Sequence, residues 1–437
     1  MSAADPSIYE ELILESNDRS RSVDLKLGAI SIDYYEDLFS PTITAKMRIV
    51  NTGDSIAKEG SKERQSIYNG LPLRGGERLS MKILDKGKTG KGEEKKGLDF
   101  TDPEKNLIVS SITDVISESQ RESFLLNLVS REAITNETSR VFKKYSAKIS
   151  ASVETILKDP RIGFNLDKSK YEIDPTSNDY KFIGNLKKPF TTLVWLASKS
   201  VPVKSKDKTA GFLFYQTQDG FKFKSIDNLT KQTSKATYTY TEINESSTER
   251  NNDFTILNYG FDKNQNLIEN LRLGTFSSIR LTFDPLNFQM KQQIYKFDEA
   301  QIDKLGNNIV LPKISEESNK TLTDVPTRVF SQVIDRGTIE PDVSRDQNAD
   351  PTKYQAQTAM RYNILVNQLV SIIVPCNTDL RAGDIITLKF PKISREDPER
   401  TDEDTSGKYL IKELCHHFEP ERSFTSMKLV RDSFGET

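Results

Sequence analysis

The residues of this chain best suited to chemistry stand together: Cys415, His416 and His417. A thiolate and two imidazoles can hold zinc, and an imidazole can act as a general base. These two histidines are the only ones in the sequence. They are adjacent within an apolar run that reads as a strand. Neighbouring strand residues point to opposite faces, so at most one of them could join any single constellation. Zinc ligands need intervening residues to converge, typically two or more, and a second cluster elsewhere. Cys376 is the only other cysteine. Gly87-Lys88-Thr89 has the ending of a phosphate loop. The pattern, however, needs glycine where Lys82 stands, and Gly90 and Gly92 do not open a helix. Neither G-x-S-x-G nor H-E-x-x-H occurs. Pairs such as Glu93/Glu94 lie in charge-mixed loops and read as solvated surface. The lysines between Lys86 and Lys96 lack the interleaved aromatics of a nucleic-acid groove. Trp195, the single tryptophan, sits at helical spacing among apolar residues and is expected in a core. No catalytic, cofactor-binding or metal-ligating residue is assigned, and no enzyme is expected.

The bulk properties narrow the class. The 437 residues suffice for roughly three domains of about 150 residues. With 35% hydrophobic and 29% charged residues, several small cores are favoured over one large core. A net charge of −2 gives no general attraction to nucleic acid or anionic lipid. Two cysteines cannot make a disulfide scaffold, and a reducing compartment is expected. The acidic start from Met1 to Leu12 has no signal-peptide pattern, and no apolar run reaches about 18 residues.

The most informative feature is an internal repeat. Leu73 to Ile83 reads L-R-G-G-E-R-L-S-M-K-I, and Leu380 to Phe390 reads L-R-A-G-D-I-I-T-L-K-F. Only Arg78 against Ile385 is dissimilar. A second echo follows each copy: Ser123 to Glu132 answers Ser423 to Asp432 with a one-residue slip. Two echoes in the same order predict a duplicated domain. A chain with two similar domains can build a ring with twice as many units as subunits.

Periodicity supplies the elements that carry the repeat. Val23 to Asp33, Thr42 to Val50, Leu79 to Leu84, Leu107 to Ile116 and Phe124 to Val129 alternate as half-buried strands. Leu369 to Pro375, Asp384 to Phe390, Tyr409 to Phe418 and Ser423 to Val430 do so in the second copy. Asp85 to Lys105 and Ser394 to Lys408 are polar loops at matching places. Helices are expected over Thr138 to Lys158 and Lys187 to Ser200, the latter with Pro189 in its first turn. Asp219-Gly220 between aromatic runs signals a hairpin. Phe254 to Tyr259, Leu271 to Leu273 and Ser277 to Phe283 are expected to open the second barrel. The predicted fold is mainly β with α+β insertions: two similar antiparallel β-barrel (tube-like) domains, a smaller α+β domain and a peripheral excursion. The expected parts are an N-terminal segment 1–22, barrel one at 23–136, an α+β middle domain at 137–249, barrel two at 250–298 plus 359–437, and a polar insertion at 299–358, which includes the acidic run Asp335 to Asp350.

Pro189 to Ser200 and Phe212 to Leu229 resemble the middle domain of central baseplate hub proteins of contractile-tailed bacteriophages, of the T-even type and their marine relatives. Gly407 to Val430 is similar to the closing strands of such hubs. The resemblance implies a homotrimer whose two barrels per subunit form a pseudo-sixfold ring between the sixfold tail tube and the threefold central spike. It implies spike, tube or tube-initiator and baseplate wedge proteins as partners, with DNA only in transit and no membrane insertion. The implied location is the virion tail baseplate, assembled in the host cytoplasm. No catalytic residue is implied in this chain, since lysozyme activity in such hubs belongs to the spike. Hubs of tailocins and type VI secretion spikes share the architecture, so a non-phage injection system is the alternative. A cell-wall or carbohydrate-active hydrolase, needing two carboxylates at fixed separation, and a monomeric sugar-binding module are the readings from other classes.

Overall fold

The structure is a computed structural model. It describes residues 6–435 apart from 53–54, 58–63, 85–96, 204–208, 241–252, 286, 300–301, 310, 312–319, 335–353 and 393–400. The lysine loop at 85–96, the core of its counterpart at 393–400 and the acidic run at 335–350 therefore lie outside the described residues.

The first copy is an antiparallel sheet of β1 (Ile8–Glu15), β2 (Ala29–Asp37), β3 (Thr44–Asn51), β4 (Arg78–Leu84), β5 (Leu107–Ser117) and β6 (Glu122–Val129). Its strand order is β2-β3-β6-β5-β4-β1. Alternation does what the pattern predicts: Met47, Ile49, Leu79, Met81, Leu126 and Leu128 are buried in one cluster, and their strand neighbours face away. The segment 1–22 is not separate, as the sequence reading had it. Leu12 and Leu14 of β1 are fully buried in this core, and β1 pairs along β4. The acidic residues around them, Glu10, Glu11 and Glu15, hid the alternation.

Between the copies lie, among other elements, the helices α1 (Arg131–Thr138), α2 (Ile149–Lys158) and α3 (Pro189–Lys199), and the hairpin β7 (Phe212–Thr217) and β8 (Gly220–Ser225). Of the single helix expected over 138–158, only 149–158 is realised, as α2, because Val141 and Tyr145 are buried from an extended connection rather than from a helical face. Pro189 stands in the first turn of α3. Trp195 packs edge-on against Tyr180 and Phe182, ring centroids 5.4 Å away in each case.

The second copy consists of β9 (Thr237–Thr239), β10 (Asn258–Asn264), β14 (Gln368–Pro375), β15 (Ile385–Lys389), β16 (Gly407–Phe418) and β17 (Ser423–Arg431), in the order β10-β14-β17-β16-β15-β9. Between β10 and β14 come α4 (Leu267–Leu273), β11 (Ser277–Asp284), β12 (Gln289–Lys296), β13 (Arg328–Val333) and α5 (Tyr354–Leu365). Four expectations need correction here. Thr237–Thr239, assigned to the middle domain, pairs with β15. Leu271 to Leu273 is the end of helix α4, which closes on Gly274 in the left-handed region. Ser277 to Phe283 does not open the second barrel: β11 forms a separate three-stranded sheet between β12 and β13. The insertion 299–358 supplies β13 to that sheet. Alternating residues alone do not say which sheet a strand joins.

The two copies agree in detail. Gly76 and Gly383 share a left-handed φ, 92° and 89°. Their amides donate to Val109 O at 2.8 Å and Ile411 O at 2.9 Å. The next residue is a carboxylate that folds back: Glu77 accepts from the Arg74 amide at 2.6 Å, and Asp384 from the Arg381 amide at 2.8 Å. The hairpins between β5 and β6 and between β16 and β17 match as well. Arg121 Nε bonds Glu118 at 2.6 Å, and Arg422 Nε bonds Glu419 at 2.7 Å. Each hairpin also carries a bulge at the same place, with Ser110 and Lys412 as the additional residues. The hairpins align Phe124 with Thr425 and Leu128 with Leu429, which resolves the one-residue slip. The one dissimilar pair has a cause: Arg78 is half-buried, whereas Ile385 is fully buried against Leu213 and Tyr215 of the middle domain. The copies differ at their sixth strand, since β1 is antiparallel to β4 but β9 is parallel to β15.

Candidate functional site

What could act in this chain is the seam where the copies meet. On the edge away from β17, β16 serves two neighbours. Its first half pairs with β15; its second half leaves that strand and pairs with β2 of the first copy, Glu413 opposite Asp37 through Phe418 opposite Ile32. The two sheets are thereby one, along the path β10-β14-β17-β16-β2-β3-β6-β5. Phe418 and Cys376 cross over to complete the first copy's core.

The residues singled out for chemistry lie in this seam, on opposite faces as strand geometry requires. His416 is fully buried, its ring parallel to Tyr34 with centroids 6.1 Å apart, and Nδ1 is 2.9 Å from Thr425 Oγ1. His417 faces the other way, bonded to Asp33 through Nδ1 and 3.0 Å from Glu419 through Nε2. Cys415 is 3.9 Å from Asp33 Oδ1, and burial pushes its thiol up to about 12, unsuited to a nucleophile. The structure therefore parts His416 from the other two, which both reach Asp33 on the opposite face. The hydrogen bond to Asp33 raises the His417 pKa above the ordinary 6.5, with Glu419, itself held by Arg422, adding to the effect. A raised histidine pKa stabilises the fold fully below the unfolded value, and that stability is lost as pH rises through the folded one. Thermal midpoints of the wild type should fall as pH climbs from 6.5 through that range, and His417→Gln should flatten this part of the profile.

A second feature, which the repeat did not reveal, sits where the copies and the middle domain meet. Glu36 is fully buried yet accepts from Tyr34 Oη at 2.8 Å, the Gln218 amide at 2.8 Å and the Ala382 amide at 2.9 Å. Arg381 Nε lies 4.0 Å from Glu36 and 3.3 Å from Asp219. Burial lifts the Glu36 carboxyl above its ordinary range, while Arg381 and these donors pull it back. The clue was present: Ile32, Tyr34 and Glu36 share one phase of β2, so a carboxylate occupies a core position. Arg361 of α5 is likewise fully buried, 3.2 Å from Asp227 and 2.7 Å from Asp432.

The face of the eight-stranded path that turns away from the cores is largely polar, and several of its cations are matched locally. Arg48 pairs with Asp114 at 3.0 Å, Lys428 with Glu413 at 2.9 Å, and Lys412 with both Glu413 and Asp37. The separate sheet of β11, β12 and β13 is inverted by comparison. Ser278, Arg280 and Thr282 are buried, while Met290, Ile294, Val329 and Val333 are exposed on the opposite face. Among the described residues no helix is long and apolar enough to cross a membrane.

No family model matches the chain. A probable baseplate hub protein, gp334, of Vibrio phage KVP40 is 22% identical over 306 residues, covering 67% of each chain. A tail protein from Neisseria meningitidis MC58 superposes with a TM-score of 0.51 at 10% identity, covering 97% of this chain and 96% of its own. The 43 kDa tail protein of prophage MuSo2 from Shewanella oneidensis gives a TM-score of 0.50 at 10% identity, with 97% and 98% covered. Resemblance in sequence to a phage hub and in fold to phage tail proteins agrees with the relationship read from Pro189 to Ser200, Phe212 to Leu229 and Gly407 to Val430: the chain is a relative of phage baseplate hub proteins.

Proposed function

We propose that this chain is the structural hub of a phage tail baseplate. It acts as a homotrimer with pseudo-sixfold symmetry that connects a sixfold tail tube to a threefold central spike and lets DNA pass. One observation carries the reading: two copies of one sheet lie in a single chain and are already joined edge to edge through β16 and β2. Three chains then offer six equivalent sheets, which matches a sixfold tube above, while the chain count matches a threefold spike below. β4, β1, β15 and β9 all stack on the core side, so the bare face of the eight-stranded path is the one free to line a bore. Its locally paired charges suit a channel that passes DNA without retaining phosphates. The inverted sheet β11–β13 offers an apolar surface to a baseplate neighbour such as a wedge protein. The hub carries out no catalysis, and its place is the virion tail baseplate, assembled in the host cytoplasm.

Mass photometry of the purified chain, alone and with the protein encoded beside it, tests this. The expected species has three times the 49.6 kDa chain mass and shows a ring with six lobes by electron microscopy. A chain that stays monomeric with its spike, or that turns over peptidoglycan by itself, would overturn it.

A further inference from the structure

The eight-stranded path has two free edges, and the internal seam predicts how they meet. At one end, β5 pairs with β4 only at Leu107 and Ile108, leaving the edge from Ser111 to Ser117 without a strand among the described residues. At the other end, β10 pairs, among the described residues, only with β14. By the repeat, β5 corresponds to β16 and β10 to β2. Those counterparts are the two strands of the internal seam.

The register follows residue by residue. The matched hairpins place Ser117 on Phe418 and Ile116 on His417. Met47 and Ile372 are equivalent because they face Leu126 and Met427, so Ile32 corresponds to Tyr259 and Asp33 to Gly260. His417 opposite Asp33 thus translates into Ile116 opposite Gly260. Further along, β5 carries one residue more than β16, within Asp114–Val115, where Asp114 has a φ of 50°. β10 carries one residue more than the matching part of β2, at Asp262. A lone insertion would slip the ladder by one and turn every side chain to the wrong face. Here the two insertions fall opposite each other and cancel. Cys415 opposite Tyr35 translates into Thr113 opposite Lys263, and the ladder runs unbroken from Thr113–Lys263 to Ser117–Tyr259.

Resting on the hub reading, we propose that β5 of one subunit pairs antiparallel with β10 of the next copy of this chain in this register. The side chains along both edges fit it. Val115 and Phe261, both exposed in the single chain, come opposite each other where His416 and Tyr34 stack internally. Ile116 is 56% exposed, and a Cβ at Gly260 would meet nothing within 4 Å, which leaves room for the isoleucine. Asp114 and Asp262 face each other, but Arg48 neutralises the first and Ser371 donates to the second. Three copies joined in this way close a ring of twenty-four strands, eight from each chain. Upright strands spaced about 4.8 Å apart would make it roughly 37 Å across between backbones.

Paired cysteines test the register in the full chain. Ile116→Cys with Gly260→Cys, oxidised mildly, should give covalent dimers and trimers on denaturing gels. The off-register pair, Ile116→Cys with Phe261→Cys, should give at least tenfold less. A trimer by mass photometry without the 116–260 link, or with equal linking of both pairs, overturns this inference and leaves the hub reading standing. A monomer under all conditions overturns both. Val115→Lys, on an edge exposed in the single chain, should abolish the trimer while circular dichroism stays that of the folded chain. A Val115→Lys trimer that forms as well as wild type would also overturn the inference.

Discussion

Arg361→Ala should destabilise the chain by roughly 3–5 kcal/mol, the usual result of breaking a buried ion pair by removing one partner. Arg361 is fully buried and holds three parts of the chain together: its own helix α5, the middle domain through Asp227 and the end of β17 through Asp432. Its Nη2 also donates to Asp303 O at 2.8 Å. Alanine would leave two buried carboxylates facing each other without a cation. An apolar triple replacement is sometimes neutral at such sites, but not here. Asp227 also accepts from the Thr209 amide at 2.7 Å, and Asp432 from the Leu305 amide at 2.9 Å, so removing them orphans further donors. Several domains need not unfold together, so a single global midpoint is a poor measure. Hydrogen exchange at Thr209 and Leu305 is the direct readout, expected to accelerate strongly in Arg361→Ala. The thermal midpoint of the unit holding α5 should drop by roughly 10 °C. Unchanged protection at both amides would show that the charge cluster does not hold these parts together.

The duplication was legible because it is written in residues with backbone duties. A glycine with left-handed φ followed by a carboxylate that caps the preceding amides leaves little choice of side chain, and Gly76-Glu77 and Gly383-Asp384 both show it. Strand phase was legible for the same reason, since burying Met47 and Ile49 or Ile372 and Val374 fixes every second residue. Partnering was not. Nothing in the alternation of Ser277 to Phe283 distinguishes a strand of the second barrel from one of a separate sheet, and only contacts with Arg328–Val333, fifty residues on, decide it. β1 was missed because Glu10, Glu11 and Glu15 surround the two leucines that matter. The seam itself was half legible. Two copies imply some joint, and the Cys415-His416-His417 run marks an unusual strand. That this strand changes partner midway depends on where the second copy sits against the first. Glu36 and Arg361 illustrate the limit. Each is a charge in a core phase, visible as an anomaly, but apart from Tyr34 the hydrogen-bond partners of Glu36 lie 182 to 346 positions away, and those of Arg361 58 to 134.

Glu36→Ala should be the most damaging single change at the seam, with a loss of roughly 3–5 kcal/mol as Arg381 is left partly uncompensated and three donors lose their acceptor. Glu36→Gln separates charge from hydrogen bonding. The amide keeps one acceptor oxygen for Tyr34 Oη and the Gln218 amide, but its NH2 then faces the Ala382 amide, a donor against a donor. The loss should therefore be intermediate, about 2 kcal/mol. Arg381→Met keeps the stem but removes the guanidinium, which also donates to Thr378 O and Leu380 O. A double-mutant cycle between Glu36→Gln and Arg381→Met should show coupling of about 1–3 kcal/mol, since the two groups share one buried junction. For the proposed trimer, the expected consequence is sharper than that for stability. Ala382 and Arg381 belong to the second copy, Gln218 and Asp219 to the middle domain and Glu36 to the first copy, so this carboxylate joins all three parts and is expected to set the angle at which the two sheets meet. A ring closes only when that angle is the same in every subunit. Glu36→Ala should then lower trimer yield in mass photometry more than its stability loss alone accounts for, which a destabilised but seam-distant variant such as Ile156→Ala controls for. Equal trimer yield at matched stability would show that the seam angle is set by the strand pairing of β16 with β2 and not by the carboxylate beneath it.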